Sequence, residues 1–215
     1  GTNGIYTLTN TSNAITTLAG NTGTVSFLEN SGYAVGTIGS TVGLTTTGNT
    51  TLSSTGTVTQ SAAITAAGLE LLGSGGIYTL TNTGNAITTL AGNTGTVSFT
   101  GTAGFDIGTV NTAGLTTTGN TTLSSTGTVT QSAAITAAGL ELLGSGGTYT
   151  LTNTGNAITT LAGNTGTVSF VENSGFAIGT VTTVGLTATT SLTLSSTGAV
   201  TQSNLISTPS LVLLG

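Results

Sequence analysis

The chain of 215 residues has no lysine, arginine, histidine, cysteine, methionine or tryptophan, and only one proline. Each absence removes a class of chemistry. Without Lys or Arg there is nothing to neutralise phosphates, so nucleic-acid binding loses its counterion-release term. Polybasic attachment to an anionic membrane fails for the same reason, and a Walker-type phosphate loop lacks its lysine. Without His and Cys, zinc, copper, haem and iron–sulfur sites lose their usual ligands. Ser-His-Asp and Cys-His catalysis cannot be assembled in their usual form. No metal and no cofactor is expected.

Charge of the other sign is scarce too. The acids are Glu29, Glu70, Asp106, Glu141 and Glu172, the formal net charge is −5, and 2% of residues are charged. An ordinary soluble domain is about 25% charged. Glycoside hydrolysis needs two carboxylates facing across a sugar, and calcium needs several oxygens within one short loop. The two acids nearest in the chain, Glu141 and Glu172, are far apart in sequence. The expectation is therefore no catalytic residue. A carbohydrate-active enzyme stands as the alternative, if folding brings two carboxylates into one groove. Mean hydropathy is +0.39, yet no apolar run reaches the ~20 residues of a membrane span. No segment has the charged start and apolar run of a signal peptide, so an export address, if any, lies outside this stretch.

What the chain does have is threonine, glycine and repetition. Gly4-Ile5-Tyr6-Thr7-Leu8-Thr9-Asn10 returns as Gly76-Ile77-Tyr78-Thr79-Leu80-Thr81-Asn82, and again as Gly147-Thr148-Tyr149-Thr150-Leu151-Thr152-Asn153. The run from Leu44 to Gly76 is identical to the run from Leu115 to Gly147. The chain reads as one domain of three long repeats, about 1–72, 73–143 and 144–215. Within each repeat, short segments of alternating polarity recur about every 17 to 20 residues, giving about twelve sub-repeats in all. Tyr6-Thr7-Leu8, Val25-Ser26-Phe27 and Leu69-Glu70-Leu71 show the period of two that marks a strand with one buried face. Thr and Val suit strands. Gly-Asn-Thr-Gly (20–23) and Gly-Ser-Gly-Gly (73–76) supply bends.

Units this short cannot each enclose a core, but stacked coils can. The pattern predicts an all-β parallel β-helix, a β-solenoid of about twelve coils and a rod roughly 55–60 Å long at ~4.8 Å per coil. The inward residues are expected to include Tyr6, Leu8, Ile15, Leu18, Val25, Phe27, Val35, Ile38, Leu44, Leu52, Val58, Ile64, Leu69 and Leu71. Differences between copies support that facing: Ile5 and Ile77 are replaced by Thr148, and Glu141 by Val212, while Tyr149 and Leu211 stay apolar. A β-sandwich also alternates, but needs different strands at different depths, which near-identical copies do not provide.

The run 147–163 (Gly-Thr-Tyr-Thr-Leu-Thr-Asn-Thr-Gly-Asn-Ala-Ile-Thr-Thr-Leu-Ala-Gly) resembles repeat regions of filamentous-haemagglutinin-like adhesins. So does Leu-Ser-Ser-Thr-Gly-Thr-Val-Thr-Gln-Ser-Ala-Ala-Ile (123–135), followed by Leu-Glu-Leu-Leu-Gly. These are exoproteins of two-partner secretion systems in Gram-negative bacteria. The resemblance covers nearly all of the chain, without the secretion domain or a toxin tip. It implies a right-handed parallel β-helix shaft, export through an outer-membrane transporter partner, a secreted or cell-surface location, and roles in adhesion or biofilm. The alternative is a filament or sheath subunit that self-associates end to end. Host-cell and matrix contacts are not legible in the sequence.

Candidate sites are few. The tyrosines at 6, 78 and 149 and the phenylalanines at 27, 99 and 170 suit a sugar platform or core filling, and their bulk favours the core. Tyr33, Phe105 and Phe176 follow glycine in a bend, and their facing is open. Glu29 and Glu172 read as solvated corners. Glu70 and Glu141 read as outward charges that discourage sideways pairing of rods. Asn10, Asn49 and Asn120 begin Asn-x-Ser/Thr triplets and are candidate glycan acceptors. Thr7-Leu8-Thr9, Thr22-Gly23-Thr24 and Thr57-Val58-Thr59 raise the idea of an ice-binding face. That needs Thr-x-Thr at one position in every coil, and the uneven spacing reads against it.

Overall fold

The computed structural model describes residues 2–215. The molecule is all-β, with parallel strands stacked as a β-solenoid; no helix occurs among the described residues. Strands alternate in burial as the sequence alternates in polarity. Thr24–Leu28, for instance, buries Val25 and Phe27 and leaves its other residues half-buried.

One ladder runs Tyr33–Val58–Tyr78–Val97–Thr121–Leu140–Leu161–Ile178–Gln202, each residue paired with the next. With the coil below Tyr33, reached through Thr17 and Ala34, this makes about ten coils rather than twelve. At ~4.8 Å per coil the rod is about 48 Å long. A coil takes 17 residues from Leu90 to Ile107 and 25 from Val25 to Thr50. The expected count followed the short steps and missed the residues that leave the wall in hairpins.

The long repeat is not a whole number of coils. Phe27 belongs to the ladder Leu8–Phe27–Leu52–Leu71–Gly92–Leu115–Ile135. Its counterpart Phe99 belongs to another, Leu80–Phe99–Leu123–Leu142–Gly163–Leu186–Ile206. Phe170 belongs to a third, Leu151–Phe170–Leu194–Leu213. Three coils above Phe27 lies Gly92, and Phe99 comes about a third of the way along the next coil. Each repeat therefore advances the screw by about three and a third coils, and equivalent residues point to different sides of the rod. Phe27, Phe99 and Phe170 consequently stack on Leu, and Tyr33, Tyr78 and Tyr149 on Val, rather than on their own copies.

A continuous apolar core fills the screw, and it includes Val25, Phe27, Val35, Leu44, Leu52, Val58, Ile64, Leu69 and Leu71. Ile15 and Leu18 are half-buried against it. Tyr6 and Leu8, expected inside, are 46% and 49% exposed, whereas Tyr78 and Leu80 are 1% and 0%. Their side chains point inward, opposite Val25 and Phe27. They belong to the first described coil, which has a neighbour on one side only. Ile38, also expected inside, is exposed because Thr37–Ile38 turns back on Thr41–Val42 as an antiparallel hairpin outside the coil. Tyr33, Phe105 and Phe176 are buried, each edge-on to the preceding Phe with ring centroids 5.1–5.2 Å apart, the geometry that aromatic quadrupoles favour.

Hairpins equivalent to the first span 108–114 and 179–185, with antiparallel bridges Thr109–Ala113 and Thr180–Val184. Each is pinched between glycines: the N–H of Gly114 donates to the carbonyl of Gly108 at 2.8 Å, as Gly43 does to Gly36 and Gly185 to Gly179. Gly114 has φ 77°, and a Cβ there would meet the Ala134 carbonyl oxygen at 2.2 Å. Only glycine closes the loop without strain.

Inside, Asn85 joins three coils. Its Oδ1 accepts the N–H of Ile64 at 2.8 Å and an Nε2–H of Gln60, and its Nδ2 donates to the carbonyls of Leu80 and Thr100, both at 3.1 Å. Asn156 repeats the arrangement with Gln131, Ile135, Leu151 and Val171.

Two substitutions test this account by thermal or urea unfolding. Gly114→Ala is expected to cost more than about 1 kcal/mol, since Ala is incompatible with the positive φ. Tyr33→Phe is expected to stabilise, or at least not to destabilise. The buried Tyr33 hydroxyl has no hydrogen-bond partner among the described residues, a state that costs about 1–3 kcal/mol, and phenylalanine already fills the site at 105 and 176.

Candidate functional site

The carboxylates are the only side chains that carry charge, and the fold places four of them out of solvent. Glu29, Glu70, Glu141 and Glu172 are each 2% exposed or less. This corrects the solvated corners expected at Glu29 and Glu172; Glu70 and Glu141 point outward as expected but are covered rather than exposed. With no basic residue in the chain, every buried carboxylate must be satisfied by hydrogen-bond donors alone, since an isolated buried charge is too costly.

Glu70 lies on the outer side of its strand, as the inward Leu69 and Leu71 dictate. It is buried because the hairpin 108–114, two coils further on, folds back over it. Its Oε1 accepts the N–H groups of Thr112 at 2.6 Å and Asn111 at 3.2 Å. Its Oε2 accepts Nδ2–H of Asn111 at 2.8 Å and the hydroxyl of Thr51 at 2.9 Å. Glu141 is held the same way by the N–H of Thr182 at 3.2 Å, the N–H of Thr183 and the hydroxyl of Thr122 at 2.9 Å. Thr182 stands where Asn111 stood, so one donor is lost. Burial pushes both carboxyls up, but the convergent donors outweigh it and hold each below the usual carboxylate range.

Glu29 and Glu172 act within their own bends. Glu29 accepts the N–H of Ser31 at 2.9 Å, the Ser31 hydroxyl, and the N–H of Gly32 at 2.7 Å. Burial raises the Glu29 carboxyl, and these donors bring it to a net lowering. Glu172 repeats the bonds with Ser174 and Gly175. In the middle copy Gly101 replaces the acid, and the Ser125 hydroxyl donates to its carbonyl at 2.7 Å. Asp106 is the one acid outside the buried set; it accepts the hydroxyls of Thr130 at 2.8 Å and Ser132 at 2.5 Å.

Each carboxylate is thus committed to local donors, and no cluster of three acids forms among the described residues. Tyr78 and Tyr149 offer no platform. They are buried, and each hydroxyl points inward at two carbonyls, Leu72 and Leu52 for Tyr78, Leu143 and Leu123 for Tyr149. Asn10, Asn49 and Asn120 are exposed. The threonines completing two of these triplets, Thr51 and Thr122, donate to Glu70 and Glu141. The sequence reading missed both the hairpin clip and the Asn85 and Asn156 ties. A Glu between two leucines marked the strand, but nothing local marked the donors, which come from 41 and 42 residues away.

The clip has a pH signature. A carboxyl held low in the fold stabilises above its unfolded pKa, and that stability is lost as pH falls through the folded value. The amide resonance of Thr112 is expected to titrate with a midpoint below 4.5, the ordinary value for Glu70. Glu70→Gln is expected to abolish that titration and to cost roughly 1.5–3 kcal/mol, the range for hydrogen bonds to a charged group.

No protein-family model, no curated protein and no solved structure matches this chain.

Proposed function

We propose that the chain is a non-catalytic structural shaft, a length of β-helix in a secreted or cell-surface fibre that holds another part of the fibre away from a cell and so supports adhesion or biofilm. The observation that carries this reading is the unbroken core and backbone ladder from one end of the screw to the other. Coil-to-coil hydrogen bonds lie along the rod axis, so bending or stretching the rod must break them in rows. The charged side chains are used to fix bends and hairpins, which suits a scaffold. The resemblance to filamentous-haemagglutinin-like repeats supports the same reading, and with it export through an outer-membrane transporter of a Gram-negative bacterium.

An end-to-end filament is the second reading. Ile5, Tyr6 and Leu8 in the first coil and Leu211, Val212, Leu213 and Leu214 in the last are exposed, and both coils present strand edges able to pair.

Small-angle scattering on one, two and three fused copies of the chain tests the shaft. The length is expected to grow by about 48 Å per copy at constant cross-section. A cross-section that grows instead would sink the shaft reading. Filaments from the single chain, seen by electron microscopy and lengthening with protein concentration, would favour the second reading.

A further inference from the structure

Uneven spacing in the sequence does not mean uneven spacing on the surface. Thr128 pairs with Thr148, Thr148 with Thr167, and Thr167 with Ser191, at steps of 20, 19 and 24 residues. Two positions along each strand, Thr150 pairs with Ser169 and Ser169 with Thr193. The pairing between the two lowest coils runs as far as Val129 and Tyr149, and Thr130 follows on the same face of its strand as Thr128. Three successive coils therefore present Thr148-x-Thr150, Thr167-x-Ser169 and Ser191-x-Thr193 in register, and Thr128 extends the first row by one coil. The variable coil length is absorbed elsewhere, so the spacing objection raised by the sequence does not hold.

This side is set apart from its counterpart. The equivalent array one repeat earlier is Thr57-x-Thr59, Ile77-x-Thr79, Thr96-x-Ser98 and Asn120-x-Thr122. Ile77 and Asn120 interrupt it. The replacements at 148 and 191 both introduce a hydroxyl, so all eight positions of the later array are Thr or Ser. All eight are exposed or half-buried. Thr130 donates to Asp106 at the lower edge; the other seven hydroxyls have no partner among the described residues. The two hairpins that fold back on the wall are tied to Glu70 and Glu141, outside this array.

We propose that the face formed by Thr128, Thr130, Thr148, Thr150, Thr167, Ser169, Ser191 and Thr193 binds ice. Coils repeat about every 4.8 Å and alternate residues along a strand about every 6.7 Å, a grid close to the oxygen repeats on a prism face of hexagonal ice. Six of the eight residues pair each hydroxyl with a methyl, which orders water laterally without a charge to disrupt it. A sugar polymer would need an exposed aromatic to stack on, and the aromatics on these strands, Tyr149 and Phe170, are buried.

The test is ice shaping and thermal hysteresis of the whole chain, with Thr148→Ile/Ser191→Asn as the variant. The fold already carries those residues at 77 and 120, so circular dichroism is expected to be unchanged. The parent chain is expected to facet ice crystals and open a freezing gap. The variant is expected to lose most of it. No shaping by the parent chain overturns the proposal, as does a variant with full activity. Adsorption to crystalline cellulose without any effect on ice overturns it in favour of a polysaccharide.

Discussion

The parallel backbone ladder between coils is the interaction on which everything else rests. It sets one spacing for the whole rod, whatever the number of residues a coil uses. Residues 17 or 25 apart are brought to the same separation, and surplus residues are pushed into hairpins. Because backbone groups pair regardless of side chain, the ladder tolerates repeats that do not match the coil. A repeat of about three and a third coils spreads phenylalanines, carboxylates and hairpins around the rod. That dispersal keeps bulky side chains from stacking on their own copies, which a close-packed core accommodates more easily.

Lack of any cation shapes the second layer of the design. A buried acid in most proteins finds Lys or Arg. Here Glu29 and Glu172 take N–H and O–H donors from their own bends, while Glu70 and Glu141 take them from a hairpin two coils away. The first pair shapes the wall locally, ahead of the positive-φ glycines at 32 and 175. The second pair staples hairpin to wall. The four glutamates that looked like surface features are structural clips, and the outer surface carries almost no charge. The proposed shaft and the proposed ice-binding face are compatible, since one depends on the interior and the other on the wall.

Much of the architecture was legible. Alternation at Val25-Ser26-Phe27 and Leu69-Glu70-Leu71 gave strand and facing, and the comparison of Thr148 with Ile77 identified an outward position correctly. Tyr6 and Leu8 were assigned the right direction but not the right exposure, because burial at the first coil depends on a neighbour that alternation does not describe. Ile38 was misplaced for another reason: a β-branched apolar residue reads the same in a wall strand and in a hairpin outside it. Asn85 gave no signal, since nothing local marks an Asn whose partners lie in the coils above and below.

By itself the sequence determined the composition of the two surfaces, the handful of charges and the strand period, because these depend on side-chain chemistry and on the two-residue pleat. Tertiary structure decided the number of coils, the side of the rod on which each copy's residues fall, and the burial of the carboxylates. Those depend on the register between coils. Register is set cooperatively by many backbone pairs and by where hairpins leave the wall, so no short window of sequence contains it.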